Sequence, residues 1–334
     1  MENASISRRA VLGAAAAMGA AGAAAAQTKL TPTEGPKLEG KSILITGSSS
    51  GFGRLAALYF ARYGANVVAS MRNLRGGKRP EAQELADIAS KEKLKLSVVE
   101  IDVTRDDLVA AGVAASEKQA GGALDVLVNN AGIGVSGPIE IHDAAMLQRQ
   151  FDVNLFGAHR MARAVLPAMR ARKEGLIIQV TSQLGRIILP NIGAYCSTKF
   201  AAEAMFEGMA YELAPFGVEV SIVQPGGYPT KIWTNGARYT EELLTRVDAP
   251  RKAAYAAHVE MARRQFNGGG TTDPMDVPKA IAEIIALPPG KRPLRRPVHP
   301  NTQAAAALNA AHAQVQERVL GQGPYKIWFD AVSD

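Results

Sequence analysis

The feature that most constrains the fold is a regular alternation of short apolar, β-branched runs with longer amphipathic segments, beginning at Lys41. Each apolar run is nearly continuous, as in a strand buried on both faces. This alternation predicts an α/β protein in which helices cover a doubly wound parallel sheet in a single domain. The predicted strands are Ile43–Thr46, Asn66–Ser70, Leu96–Ile101, Val126–Asn129, Leu176–Thr181 and Val218–Val223.

The segments between these strands predict the covering helices, and the alternation fails after Pro225. Tyr228–Gly270 and Lys291–Pro300 are therefore interpreted as inserted loops and helices over one edge, where substrate would be recognised. The doubly wound domain is predicted over 41–300, followed by a C-terminal helical extension over 301–334. The predicted helices are approximately Gly53–Tyr63, Glu81–Glu92, Asp106–Gln119, Asp143–Arg172 and Ala194–Ala214.

The amino terminus has the order of parts of a twin-arginine export signal. Arg8 and Arg9 precede a weakly apolar run, and small residues at 24–26 offer a cleavage site. The run is too short, and too poor in Leu, Ile and Phe, for a bilayer span of about 20 residues. We expect a signal peptide over 1–26 and a linker over 27–40, with the twin-arginine translocation machinery as a partner and a periplasmic location. The alternative is a low-complexity alanine tail or a start codon placed too early, on a cytoplasmic protein.

Composition narrows the class of partner. The net charge of +7 contains no long basic block, so nucleic-acid binding has no support and small anionic ligands are weakly favoured. The single cysteine, Cys196, cannot form an internal disulfide. No His/Cys cluster has zinc-ligand spacing, so no metal is expected.

A glycine-rich turn follows the first predicted strand and leads into an amphipathic helix. Glycines there permit a tight turn and let backbone N–H groups approach a pyrophosphate at the positive end of the helix. Strand, turn and helix in this order predict a nucleotide site, although glycine-rich turns alone are common. The candidate cofactor-binding residues are Gly47, Ser49, Ser50, Gly51, Phe52 and Gly53.

The loop after the second strand indicates which dinucleotide is bound. No Asp or Glu occurs between Gly53 and Glu81, where a carboxylate would bind the ribose 2′-hydroxyl of NAD. Arg72, Arg75, Lys78 and Arg79 occupy this loop instead, and a guanidinium can bind a 2′-phosphate with two hydrogen bonds. NADP is therefore predicted, with NAD less favoured; the alternative is that these cations are simply solvated.

Tyr195 and Lys199 begin a predicted helix, and their four-residue spacing places both side chains on one face. The pair alone is a weak signal. Its context is stronger, because Ser182 ends the fifth strand, Asn129 to Gly132 end the fourth, and Asn154 lies between them. Ligand groups gather at the carboxyl ends of parallel strands.

These motifs, with Pro225-Gly226 after the sixth strand, resemble the short-chain dehydrogenase/reductase family in order over about residues 41–230. The resemblance implies a Rossmann fold, hydride transfer, and dimers or tetramers formed through the long helices. Details such as Met71-Arg72-Asn73 look most like the branch containing 17β-hydroxysteroid and retinol dehydrogenases. The implied catalytic tetrad is Asn154, Ser182, Tyr195 and Lys199, and further implied cofactor contacts are Asp102, Val103, Asn130, Ala131, Gly132, Tyr195, Lys199, Pro225, Gly226 and Thr230.

The acid–base chemistry can also be argued from the residues. An ammonium about 4 Å from a phenol, at an effective dielectric near 20, favours the phenolate by roughly three pKa units. Lys199 is thus expected to bring the pKa of Tyr195 near neutrality, while Ser182 holds the substrate oxygen. Asn154 is expected to position a water that connects Lys199 to solvent, the alternative being a structural role. For Asn129 the structural role is favoured.

The segment between Ser182 and Tyr195 is rich in aliphatic side chains, and the loop after Pro225 adds aromatic ones. Such a lining predicts an apolar carbonyl or secondary alcohol as substrate. The sequence thus predicts an NADP-dependent oxidoreductase. The alternatives are a non-enzymatic NADP-binding sensor, and a dehydratase or epimerase on the same fold. The candidate lining residues are Leu184, Ile187, Ile188, Leu189, Pro190, Ile192, Tyr228, Ile232 and Trp233.

Overall fold

The computed structural model describes residues 35–74, 76, 78–265 and 270–332. The predicted signal peptide over 1–26 and most of the predicted linker lie outside these residues, as does Arg75. None of the helices within the described ranges is long and apolar enough to cross a membrane. Within the same ranges, no group of His, Cys, Asp and Glu side chains could hold a metal ion.

The described residues form a seven-stranded parallel sheet in the order β3-β2-β1-β4-β5-β6-β7, which confirms the predicted doubly wound fold. The direction of winding reverses between β1 and β4, so the carboxyl ends of these strands flank a crevice. The strands are β1 (Ser42–Ile45), β2 (Asn66–Met71), β3 (Leu96–Glu100), β4 (Val126–Asn129), β5 (Gly175–Val180), β6 (Val218–Pro225) and β7 (Arg295–Val298).

Helices cover both faces of the sheet. Leu44 packs into the core on one face, while Ile43 and Ile45 pack into the core on the other, because successive strand side chains point in opposite directions. In the described ranges the helices are α1 (Gly51–Arg62), α2 (Pro80–Glu92), α3 (Asp106–Ala120), α4 (Ala144–Phe151), α5 (Gly157–Arg172), α6 (Gly193–Leu213), α7 (Ile232–Arg246), α8 (Ala249–Ala254), α9 (Ala256–Gln265), α10 (Asp276–Ala286), α11 (Gln303–Leu320) and α12 (Lys326–Asp330).

The predicted helix Asp143–Arg172 is present as helical backbone without a gap, but it is not uniform: α4, a π-helical turn over Asp152–Phe156 and α5 follow one another directly. The π turn carries Asn154, whose side chain hydrogen-bonds the backbone of Ile133 instead of facing solvent. π turns of this kind are frequent at functional sites.

The segment Lys291–Pro300, predicted as a loop or helix, instead contributes β7. Its sequence, Arg295-Arg296-Pro297-Val298, lacks the apolar run of a buried strand. It pairs with β6 at the edge of the sheet, where a proline is tolerated. Arg295 can lie inside the protein because it pairs with two carboxylates of α6, Glu203 at 2.8 Å and Glu207 at 2.6 Å.

Candidate active site

A cavity of about 670 Å³ opens at the carboxyl ends of the strands. It is bordered by the β1–α1 turn, the ends of β2, β4, β5 and β6, and the inner face of α7. Among the predicted cofactor-binding residues, Gly53 does not line it; the others do. Among the predicted catalytic residues, Asn154 does not line it, whereas Ser182, Tyr195 and Lys199 do.

The glycine-rich turn brings backbone close to backbone at the base of the cavity. Gly47 has a φ of +71°, and a Cβ there would lie 2.9 Å from the Cα of Ala131 at the end of β4. Gly53 lies behind this turn: a Cβ there would lie 2.6 Å from the carbonyl oxygen of Gly47. Gly53 therefore serves the close packing of α1 on the turn, and its predicted contact with the cofactor stays a prediction.

The residues around the cavity fit a dinucleotide. Helix α1 begins at Gly51 with its free N–H groups at the cavity, and its first turn carries no acidic residue. Across the crevice, a Cβ at Gly132 would lie 3.8 Å from Nζ of Lys199, so the glycine keeps space beside the ammonium. The donor set of backbone N–H groups at one end and an ammonium at the other suits a phosphate and ribose hydroxyls.

The loop after β2 contributes two guanidinium groups to the cavity, those of Arg72 and Arg79. Nη2 of Arg72 donates to the hydroxyl of Tyr239 at 3.2 Å. Arg79 donates to the carbonyl oxygen of Arg72 and pairs with Glu81 at 3.0 Å. Lys78, predicted with them, does not line the cavity.

Ser182, at the carboxyl end of β5, faces Tyr195 at the start of α6. The hydroxyl of Ser182 donates to the carbonyl oxygen of Pro225 at 3.3 Å and accepts from the N–H of Leu184 at 3.1 Å. One turn after Tyr195, Nζ of Lys199 donates to the carbonyl oxygen of Val180 at 3.2 Å. A hydroxyl, a phenol and a buried amine therefore meet at one point of the cavity.

The expected lowering of the pKa of Tyr195 is not what the structure gives. Burial raises the pKa of Tyr195 to about 12, against a lesser opposing effect of its hydrogen bond with Ser182. Burial also lowers the pKa of Lys199 to about 8, although the carboxylate of Glu203 opposes this. Nζ of Lys199 lies 5.6 Å from the centre of the Tyr195 ring. Loss of solvation is the largest effect on the pKa of each group.

The side chain of Asn154 forms its hydrogen bonds with other residues of the protein. Its Oδ1 accepts from the N–H of Ile133 at 2.8 Å, and its Nδ2 donates to the carbonyl oxygen of Ile133 at 2.9 Å and to the hydroxyl of Thr198 at 3.0 Å. The side chain thus ties the segment after β4 to α6. Asn129 is also structural, as favoured from the sequence, and donates to the carbonyl oxygen of Ala158 at 3.1 Å.

The wall beyond Tyr195 is largely apolar. Most of the aliphatic and aromatic residues predicted there line the cavity, but Ile188 and Pro190 do not, and Ile188 is 68% exposed. Sequence reasoning missed the polar residues of α7, because their helix follows the point where the strand–helix alternation ends. These cavity-lining residues are Asn235, Arg238 and Tyr239.

Three comparisons define the relationship to known proteins. The chain is 34% identical to retinol dehydrogenase 8 of Bos taurus over 282 residues, 81% of this chain and 85% of that protein. A short-chain dehydrogenase/reductase of Burkholderia phymatum in complex with NAD superimposes with a TM-score of 0.68 at 25% identity, covering 86% of this chain and 98% of that one. A gluconate 5-dehydrogenase of Burkholderia cenocepacia in complex with NADP and tartrate has a TM-score of 0.54 at 28% identity, covering 69% and 88%.

These similarities agree with the match to a family model. Residues 41–239, which contain the glycine-rich turn and the Ser182, Tyr195 and Lys199 cluster, match the model described as short chain dehydrogenase. Members of this family are oxidoreductases that act on a CH–OH group and use NAD or NADP. The chain therefore belongs to the short-chain dehydrogenase family.

Proposed function

We propose that this protein is an NADP-dependent oxidoreductase that interconverts an apolar secondary alcohol and its carbonyl form. One observation carries the proposal: a single cavity has arginines at one end and the Ser182, Tyr195 and Lys199 cluster, with its apolar wall, at the other. The arginine end favours a 2′-phosphate. The apolar wall favours a substrate with a large hydrocarbon surface.

The protonation states favour carbonyl reduction at neutral pH. With its pKa raised to about 12, Tyr195 carries its proton and can donate it to a carbonyl oxygen. The hydroxyl of Ser182, which donates to the carbonyl oxygen of Pro225 in this structure, can turn to donate to the same substrate oxygen. The charge of Lys199 stabilises the phenolate that remains. A nicotinamide cofactor bound in this cavity would supply the hydride for the carbonyl carbon. The products are the alcohol and the oxidised cofactor.

The similarity to retinol dehydrogenase 8 is consistent with an apolar substrate. The wall contributes Leu184, Ile187 and Ile192 from the segment after β5, and Ile232 and Trp233 from α7. A strongly anionic or sugar-like substrate would have to desolvate its polar groups against these side chains.

A panel of apolar ketones, aldehydes and secondary alcohols tests this function, with NADPH and NADH absorbance as the measurement. We expect turnover with at least one apolar carbonyl and a higher kcat/KM for NADPH than for NADH. Binding of NADPH without turnover of any compound would favour a sensor. Turnover without net oxidation of the cofactor would favour a dehydratase or epimerase.

Two further elements of the proposal concern assembly and location. The exposed ring of Phe156, between α4 and α5, and that of Phe200, on α6, support a homodimer or homotetramer formed through these helices. Light scattering after size-exclusion chromatography measures this state. The Arg8-Arg9 motif supports export to the periplasm by the twin-arginine route.

A further inference from the structure

Tyr239 of α7 contacts the guanidinium groups of three arginines. Its side chain is buried, and its hydroxyl accepts a hydrogen bond from Arg72 at 3.2 Å. The guanidinium carbon of Arg238 lies 4.3 Å from the centre of the ring, and that of Arg149 lies 4.6 Å from it. Arg149 is compensated by Glu242 at 3.0 Å.

Arg72 and Arg238 differ from Arg149 in two respects. Both line the large cavity, and among the residues that the structure describes neither forms an ion pair with a carboxylate. Burial raises the pKa of Tyr239, but the hydrogen bonds and charges of Arg72 and Arg238 more than offset this, so the pKa lies below its ordinary value. Arg72 and Arg238 are both exposed to solvent, which balances their charge in the free protein. Two guanidinium groups without a carboxylate partner, beside one hydroxyl, offer hydrogen-bond donors to an anion that enters the cavity.

The geometry of α7 places this site relative to the rest of the cavity. Ile232 and Tyr239 both line the cavity and are seven residues apart, which is about 10 Å along a helix. The first of them lies two residues after Thr230, and a Cβ at Gly51 of the glycine-rich turn would lie 3.4 Å from the Cβ of Thr230; the second contacts Arg72 after β2. Helix α7 therefore extends from beside the glycine-rich turn to the end of the cavity where the sequence predicts the 2′-phosphate.

We propose that Arg238 and Tyr239 of α7 complete, with Arg72, the binding site for the 2′-phosphate of NADP. The inference rests on the proposed function and deepens it, because it assigns cofactor specificity to the inserted helix as well as to the loop after β2. Arg238 contributes a second guanidinium to the phosphate. Tyr239 acts as a positioning residue: its oxygen accepts from Arg72, and its proton remains available for a phosphate oxygen.

The test compares adenosine 2′,5′-bisphosphate with adenosine 5′-monophosphate, which differ only in the 2′-phosphate. Their Kd values are measured by calorimetry on the purified wild-type protein, Arg238→Ala and Tyr239→Phe. A lost charge-assisted contact is expected to reduce the preference for the bisphosphate about tenfold or more in Arg238→Ala. Tyr239→Phe keeps the ring and is expected to reduce the preference by a smaller factor.

Arg246→Ala is the matched control, because it removes a charge from the same helix. Arg246 pairs with Asp143 and Glu242 and does not line the cavity. The preference of the Arg246→Ala protein for the bisphosphate over the monophosphate is expected to stay within about twofold of the wild-type preference. An equal reduction in Arg246→Ala would overturn the inference, since it would show a general effect of charge.

Other outcomes separate this inference from the proposed function. The inference is overturned if Arg238→Ala weakens the binding of both nucleotides equally, or of neither. If the binding of neither is weakened, Arg238 would instead bind an anionic group of the substrate. NADPH-dependent reduction of a ketone by the same preparation would leave the proposed function intact. A wild-type protein with no preference for the bisphosphate would overturn the inference and the assignment of NADP together.

Discussion

The ammonium nitrogen of Lys199 lies 5.6 Å from the ring centre of Tyr195 and donates to the carbonyl oxygen of Val180. Both residues lose solvation at this point, and burial moves their pKa values in opposite directions, to about 8 for Lys199 and about 12 for Tyr195. At neutral pH the phenol therefore keeps its proton and the amine keeps its charge. The site therefore holds two protonated groups close to each other.

Tyr195→Phe is expected to fold, to bind NADPH within about twofold of the wild type, and to lose nearly all turnover. The substitution deletes the proton donor and keeps the ring, and general acid–base catalysis contributes on the order of a hundredfold or more. Steady-state kinetics and NADPH fluorescence measure the two effects. Retention of more than about a tenth of the activity would contradict the role assigned to Tyr195.

The affinity for NADPH is expected to fall as the pH rises through about 8. Lys199 is charged below its lowered pKa and neutral above it, so its charge-assisted contact with the ribose hydroxyls is lost in alkali. Titration of Kd between pH 6.5 and 9.5 gives the midpoint. Lys199→Met is the control: it should bind more weakly at neutral pH and lose this step, and an unchanged step would assign the titration to another group.

Arg72→Asp is expected to weaken NADPH binding at least tenfold while changing NADH binding much less. The carboxylate removes a guanidinium and repels a 2′-phosphate that NADH does not have. The measurement is the ratio of the two Kd values. An unchanged ratio would mean that Arg72 is bound only to Tyr239, and would move the prediction to Arg79, which also lines the cavity.

The sheet was predictable because its central strands are buried on both faces, which leaves a continuous apolar run in the sequence. β7 was not, because an edge strand needs no such run and Arg295 obtains its partners, Glu203 and Glu207, from a helix about 90 residues earlier. The π turn in the long helix was not predictable for a similar reason. It coincides with the contact of Asn154 with Ile133, which spacing alone does not reveal.

In the candidate site, too, local sequence patterns were predictable and long-range contacts were not. The glycine-rich turn and the Tyr195–Lys199 pair are local patterns in which chemistry fixes the spacing, so they can be found in a single sequence. The contact between Arg72 and Tyr239 joins residues 167 positions apart and leaves no local pattern. The pKa of Tyr195 differs from the expectation because helical spacing places it on one face with Lys199 but does not show the burial of both groups.

Arg295→Met is expected to destabilise the protein by about 3–5 kcal/mol at pH 7, because it leaves two buried carboxylates without their cation. The side chains of Arg295 and Glu207 are only 8% and 7% exposed. Arg296→Met is the matched control, since its pair with Glu283 is about half exposed and should matter by less than about 1 kcal/mol. Urea unfolding measures the free energy of unfolding of both variants, and an m-value equal to that of the wild type shows that the values can be compared.

The same pair gives an acid-sensitive contribution to stability. Burial raises the pKa of Glu207, but Arg295, Tyr211 and His312 outweigh it and hold the value at about 2. This contribution is complete above the ordinary glutamate pKa and is lost as the pH falls toward 2. The difference in stability between the wild type and Arg295→Met should therefore narrow below about pH 4. A constant difference down to pH 2 would show that Arg295 stabilises by packing alone.

If Arg8-Arg9 direct export by the twin-arginine route, a system that resembles others carrying folded proteins, the cofactor should be loaded before transport. Free NADP is expected to be scarce outside the cytoplasm. The exported enzyme would then need very slow cofactor release, or two substrates that oxidise and reduce one bound cofactor in turn. A nanomolar Kd corresponds to about 12 kcal/mol, which a large, multiply charged ligand can reach.

The prediction is that cell fractionation finds the protein in the periplasm, cleaved before Gln27, with nucleotide still bound after extensive dialysis. Mass spectrometry of the intact chain and of the extracted nucleotide measures both features, and a variant with Arg8→Lys and Arg9→Lys, expected to stay in the cytoplasm, is the control. Protein found in the cytoplasm with residues 1–26 intact would reject export. Protein found outside but empty, and active only with added NADPH, would reject retention; export would stand, because the signal and the contacts that hold the cofactor lie in separate parts of the chain.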